Sequence, residues 1–126
     1  MMLPEQEWIK KALNDLGSAK LMLDSNSAYF DQACFLCQQC IEKLLKAYLT
    51  KNKVEIFKTH DLVKLVGDCS KVNEQFLKWK DDALTLTTYA VDFRYPGEEA
   101  TKEEAIDSYQ KAEIFSKFIL SKLNEN

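Results

Sequence analysis

Ala33-Cys34-Phe35-Leu36-Cys37-Gln38-Gln39-Cys40-Ile41-Glu42-Lys43-Leu44-Leu45-Lys46-Ala47-Tyr48-Leu49 reads as one amphipathic helix. Ala33, Leu36, Cys37, Cys40, Ile41, Leu44, Leu45, Tyr48 and Leu49 keep the helical period for four turns. Gln38, Gln39, Glu42, Lys43 and Lys46 make the opposite side, which reads as a solvated polar face. Glu42 and Lys46 stand in the favourable i,i+4 order. The pattern extends this helix over about residues 28–52.

Four more helical segments flank it. The first covers about residues 5–24, with Pro4 suited to the first turn. Its apolar stripe is Trp8, Ile9, Ala12, Leu13, Leu16, Ala19 and Leu23. Ser25-Asn26-Ser27 breaks it. Thr59 is a plausible N-cap for a short helix over about residues 60–69, whose apolar side is Leu62, Val63, Leu65 and Val66. A fourth helix spans about residues 73–93, ended by Pro96 and Gly97. The last opens at Thr101 with Glu104 three residues on, a capping box, and runs to about residue 123. Short connections make sequential helices antiparallel. The expected fold is therefore all-α: an antiparallel up-and-down bundle of four long helices plus one short helix, in a single domain over residues 1–126.

Composition narrows the chemistry. The 126 residues are 46% apolar and 29% charged, as in a soluble globular domain. Gly17, Gly67 and Gly97 are too far apart for GxGxxG or GxxxxGK[ST]. His60 is the single histidine, so HExxH and His-rich metal sites are excluded. A net charge of −3 argues against a chain-wide nucleic-acid footprint, though not against a local basic patch. No segment reads as a signal peptide or as the ~18 apolar residues of a membrane helix, so a cytoplasmic protein with free thiols is expected.

Cys34, Cys37 and Cys40 resemble half an iron–sulfur motif, but such motifs need a loop that turns thiolates toward one point. A helix does not, and buried thiols are the reading the pattern favours. No metal or cofactor is expected. His60 either orders the loop before the short helix or sits at a cleft edge as a proton shuttle or phosphate contact. Arg94 is the only arginine against sixteen lysines. Its planar fork suits bidentate contact with phosphate, or with a structural carboxylate such as Asp92. Gln39, Lys43 and Lys46 could line a groove beside it.

Taken together, Trp8…Ala12-x-x-Asp15-Leu16-x-x-Ala19, Gln38-Gln39-Cys40-x-Glu42-Lys43-x-Leu45-Lys46-Ala47-x-Leu49, Thr59-His60-Asp61-Leu62-x-x-Leu65, Phe93-Arg94-Tyr95-Pro96 and Ala105…Ala112-Glu113 resemble the HEPN domain family over nearly the whole chain. The resemblance implies a helical bundle that forms a homodimer with a groove between protomers. It implies association with a minimal nucleotidyltransferase in a toxin–antitoxin-like pair; nucleotide or RNA binding is expected through Arg94, Tyr95, His60, Lys43, Lys46 and Gln39. Many HEPN proteins are metal-independent ribonucleases whose motif is Arg, four to six residues, then His. Here the corresponding positions hold Glu99, Ala100 and Thr101, and Arg94 is followed by Tyr95-Pro96 rather than a small polar residue. The expectation is a non-catalytic binding module. The alternative is an atypical endoribonuclease using Arg94 with His60 or Glu99.

Overall fold

The computed structural model describes residues 1–25, 28–92 and 96–125. It contains α1 (Pro4–Asp24), α2 (Phe30–Lys51), α3 (Leu62–Ser70), a 3-10 helix (Glu74–Trp79), α4 (Lys80–Asp92) and α5 (Lys102–Leu123). Among the described residues there is no strand. The fold is the expected antiparallel helical bundle with one short helix.

Side-chain pairs give the directions. Asp15, late in α1, meets Lys43, whereas Trp8, early in α1, meets Lys46, so α1 and α2 are antiparallel. Trp79, at the end of the 3-10 helix leading into α4, stacks on Phe115, and Tyr89 of α4 donates to Asp107, so α4 and α5 are antiparallel. α2 and α5 run the same way: Asp31 accepts the Ala100 N–H at one end, and Lys51 donates to the Leu123 carbonyl at the other. α2 packs against α1, α3, α4 and α5 and is the central helix.

That centrality corrects the solvated polar face. Gln38, Glu42 and Lys46 are buried, at 4%, 3% and 8% exposure. Lys43 lies 2.5 Å from Asp15, with both side chains mostly covered. Other helices lie over this side of α2, and its polar atoms find partners there instead of water. Leu13, placed in the apolar stripe of α1, is exposed.

The capping box on α5 is present: Thr101 accepts from the Glu104 N–H, and Glu104 accepts from the Thr101 N–H. The short helix starts later than expected. Asp61, not Thr59, is its N-cap, accepting from the Val63 and Lys64 N–H groups at 3.0 and 3.4 Å. Thr59 instead accepts the Asp61 N–H at 3.1 Å, an upstream turn. His60 therefore precedes the helix and does not belong to its first turn.

The fourth segment is divided. Residues 74–79 form a 3-10 helix, in which positions i and i+3 eclipse. This puts Phe76 and Trp79 on one side. Phe76 meets Tyr48 and Phe118, and Trp79 lies 4.6 Å from Phe115 with rings within 5° of parallel. The chain returns to α-helix at Lys80.

All four cysteines are buried, free thiols. Cys34 packs with Ala33, Ala100 and Ala105, while Cys37, Cys40 and Cys69 belong to the main core. Burial pushes the Cys34 and Cys37 thiols up to about 12. Cys40 and Cys69 are raised for the same reason. No group of three metal-ligating side chains occurs among the described residues. No helix among them is long and apolar enough to cross a membrane.

Candidate functional site

Glu42 is the centre of a polar cluster. Its Oε2 accepts from Lys46 Nζ at 3.0 Å. Its Oε1 lies 2.9 Å from His60 Nδ1 and accepts from Gln38 Nε2 at 3.3 Å. Gln38 Nε2 also donates to the His60 carbonyl at 2.9 Å. Burial opposes ionisation of Glu42, but the hydrogen bonds from Lys46, His60 and Gln38 outweigh it and hold the carboxyl below its ordinary value. An ionised carboxylate only accepts, so Nδ1 of His60 is the donor. The imidazole is 82% exposed and is held at one edge.

Lys46 reaches along α1 as well, with Nζ 5.7 Å from the Trp8 ring centroid. Above it lies a cavity of about 470 Å³, lined by Trp8, Lys46, Ile56, Phe57, Lys58, Thr59 and His60. Its walls are the indole of α1, the ammonium of α2 and the connector between α2 and α3. Asp61 fixes the end of that connector through its cap.

The proposed groove residues separate. Lys46 and His60 meet at the cavity, bridged by Glu42. Lys43 is taken up by Asp15, and Gln39 donates to Gln38 at 2.8 Å. Glu99 is exposed in the connection before α5. The next residue, Ala100, donates to Asp31 at 2.7 Å. Asp31 and Glu42 are eleven residues apart on α2, about 16 Å of helix axis. The anchors of Ala100 and of His60 are thus three turns apart on α2. Arg94 and Tyr95, with Phe93, lie outside the described residues.

Trp8 of the cavity lining and Glu42 of the polar cluster are not among the site residues expected from the sequence. In the sequence Trp8 reads as an apolar stripe position and Glu42 as a partner of Lys46, and both belong to the family-like pattern. The available signal was the ladder Gln38, Glu42, Lys46 at four-residue spacing beside a tryptophan early in the preceding helix.

Fold and cluster define an all-α bundle with a buried polar node on its central helix. The HEPN domain profile matches residues 5–123, and the chain belongs to the HEPN domain family. The structure is similar to TT1696 from Thermus thermophilus, with a TM-score of 0.83 at 22% identity, covering 96% of this chain and 99% of that one. ST0689, an archaeal HEPN homologue, gives 0.78 at 24%, covering 98% and 100%. A HEPN domain protein from Thermotoga maritima, TM0613, gives 0.79 at 24%, covering 95% and 99%. No curated protein matches the sequence.

Proposed function

We propose that this HEPN domain is a non-catalytic binding module. It acts as a homodimer with a minimal nucleotidyltransferase in a toxin–antitoxin-like pair, and it binds nucleotide or RNA through Arg94 and Tyr95. The carrying observation is how the positions after Arg94 are used. Glu99, Ala100 and Thr101 stand where the ribonuclease histidine belongs, and two of them have structural work: Ala100 donates to Asp31 and Thr101 caps α5. The only histidine, His60, is engaged by Glu42 and Gln38 on another part of the bundle. Exposed Leu84 and Val91, seven residues apart on α4, support a second copy as a partner.

The test uses purified protein against a panel of RNAs, alone and with the nucleotidyltransferase co-expressed. The reading expects no cleavage, co-purification of the pair, and loss of RNA or nucleotide retention in folded Arg94→Ala. Light scattering at 14.6 kDa across a wide concentration range would refute the dimer.

One observation favours the ribonuclease reading. His60 presents an exposed imidazole anchored by a carboxylate, the arrangement that fixes a tautomer for acid–base work. Cleavage that disappears in Arg94→Ala and in His60→Gln would establish it in place of the binding module. Glu99→Gln separates the other candidate base.

A further inference from the structure

We propose that the outer face of α1 is a contact surface for α1 of a second copy of this chain, the two helices running antiparallel about a two-fold axis at Gly17. The contact goes beyond the module proposed above and is separate from the α4 face that supports its dimer.

The face is the side of α1 turned away from its buried residues, Ala12 and Ala19. Leu13 and Leu21 are 43% and 73% exposed there, and exposed Gly17 stands midway between them. At about 3.6 residues per turn these three form one ridge, about 12 Å long. Glycine weakens a helix interior. A Cβ at Gly17 would meet nothing within 4 Å, so packing inside the chain does not call for glycine here. A missing side chain between two exposed leucines leaves a notch, and a notch lets another helix come close.

The pattern selects the occupant. Lys10, Leu13, Gly17, Leu21 and Asp24 follow one another at spacings of three, four, four and three. All five lie within about 40° of the direction of Gly17. The spacing reads the same from either end, and the charges at the two ends are opposite. A two-fold axis at Gly17 therefore sets Leu13 against Leu21 of the second copy and Lys10 against its Asp24. A contact between identical patches must complement itself in this way. A parallel pair would instead set Lys10 against Lys10 and Asp24 against Asp24.

Both charges have capacity to spare. Lys10 is exposed and has no ion-pair partner among the described residues. Asp24 gives Oδ2 to Lys20 of its own helix, and both of those side chains are more than half exposed. Oδ1 of Asp24 is not engaged among the described residues, and a carboxylate accepts at both oxygens. The face is also well placed for a further contact. α1 packs on α2 and α5, whereas α4 packs on α2, α3 and α5. Two separate self-complementary faces on one chain build assemblies larger than a dimer.

The test is sedimentation equilibrium of the full chain from micromolar to millimolar concentration. A mass above that of the dimer is expected at the upper end. Leu21→Glu should weaken the α1 contact about tenfold or more, and Lys10→Glu about tenfold, since it faces two carboxylates with each other. Lys10→Glu combined with Asp24→Lys exchanges the charges and should restore the wild-type constant to within about twofold. Lys11→Glu, on the flank of the same helix, is the control. Gly17→Cys puts an exposed thiol at the axis, and the four native cysteines are buried. Mild oxidation should link two copies through it, and Lys11→Cys should give no link. Circular dichroism checks that each variant is folded.

A mass unchanged by Leu21→Glu, with no link in Gly17→Cys, overturns the proposal. So does a charge exchange that fails to restore what Lys10→Glu removes. A dimer that Leu84→Glu dissociates and Leu21→Glu does not overturns the α1 contact and leaves the α4 reading intact; the converse result supports α1 and removes α4. Loss of the co-expressed nucleotidyltransferase in Leu21→Glu, with self-association unchanged, gives the face to another partner and also overturns the proposal.

Discussion

Replacing Glu42 with glutamine removes the charge at the centre of the α2 cluster. The carboxylate is 3% exposed and accepts from Lys46, His60 and Gln38. Its loss leaves the Lys46 ammonium, 10% exposed as a side chain, without its anion. Breaking one partner of a buried pair costs about 3–5 kcal/mol. The cavity admits water on one side of Lys46, so about 2–4 kcal/mol is the expected value here. Lys46→Met alone leaves Glu42 with His60 and Gln38, a smaller loss of about 1–3 kcal/mol. Removing both charges in Glu42→Gln with Lys46→Met should cost less than the sum of the single changes, by roughly 2 kcal/mol. Urea unfolding followed by far-ultraviolet circular dichroism measures all three.

The pH dependence has a definite sign. The folded carboxyl is held below its unfolded value of about 4.3. Its contribution is complete above the unfolded value and is lost as pH falls through the folded one. The gap between wild type and Glu42→Gln should therefore narrow from pH 7 to pH 3. A gap under about 0.5 kcal/mol at pH 7, or one constant across that range, would refute the reasoning.

Asp61→Ala should cost about 1 kcal/mol in the same unfolding assay, because two N–H groups of α3 lose their acceptor, whereas Thr59→Ala should cost less. Phe115→Ala should destabilise by about 3–5 kcal/mol, since the ring is fully buried and stacks on Trp79. A chemical denaturation midpoint near that of wild type would count against the packing. With Cys34 and Cys37 pushed up to about 12, the native thiols should resist a thiol reagent at pH 8, and all four should react after unfolding. Rapid native modification of any of them contradicts the burial.

Helix positions were legible because apolar spacing records which residues seek a core. The stripe from Ala33 to Leu49 and the Thr101–Glu104 capping box both appear in the structure. Partners of polar residues were not legible. Gln38, Glu42 and Lys46 at four-residue spacing suit a solvated ladder equally well. What buries them is Trp8, thirty residues or more earlier, and His60, eighteen residues beyond Glu42. The α3 start turns on two capping residues that flank His60, and only geometry assigns Asp61 to the helix and Thr59 to the turn. Phe76 and Trp79 are spaced for an α-helix or a 3-10 helix alike. Of the candidate site, Lys46 and His60 are legible in the sequence. Their bridge through Glu42 is not.

The central helix also limits the chemistry available within one chain. Asp31 anchors the connection after Gly97 through Ala100, and Glu42 anchors His60. Both anchors are on one rigid rod, about 16 Å apart. A general base must come within about 3 Å of the proton it removes. The backbone anchor beside Glu99 and the anchor of His60 thus stand at different levels of α2. The ribonuclease alternative accordingly takes one of them, His60 or Glu99, with Arg94.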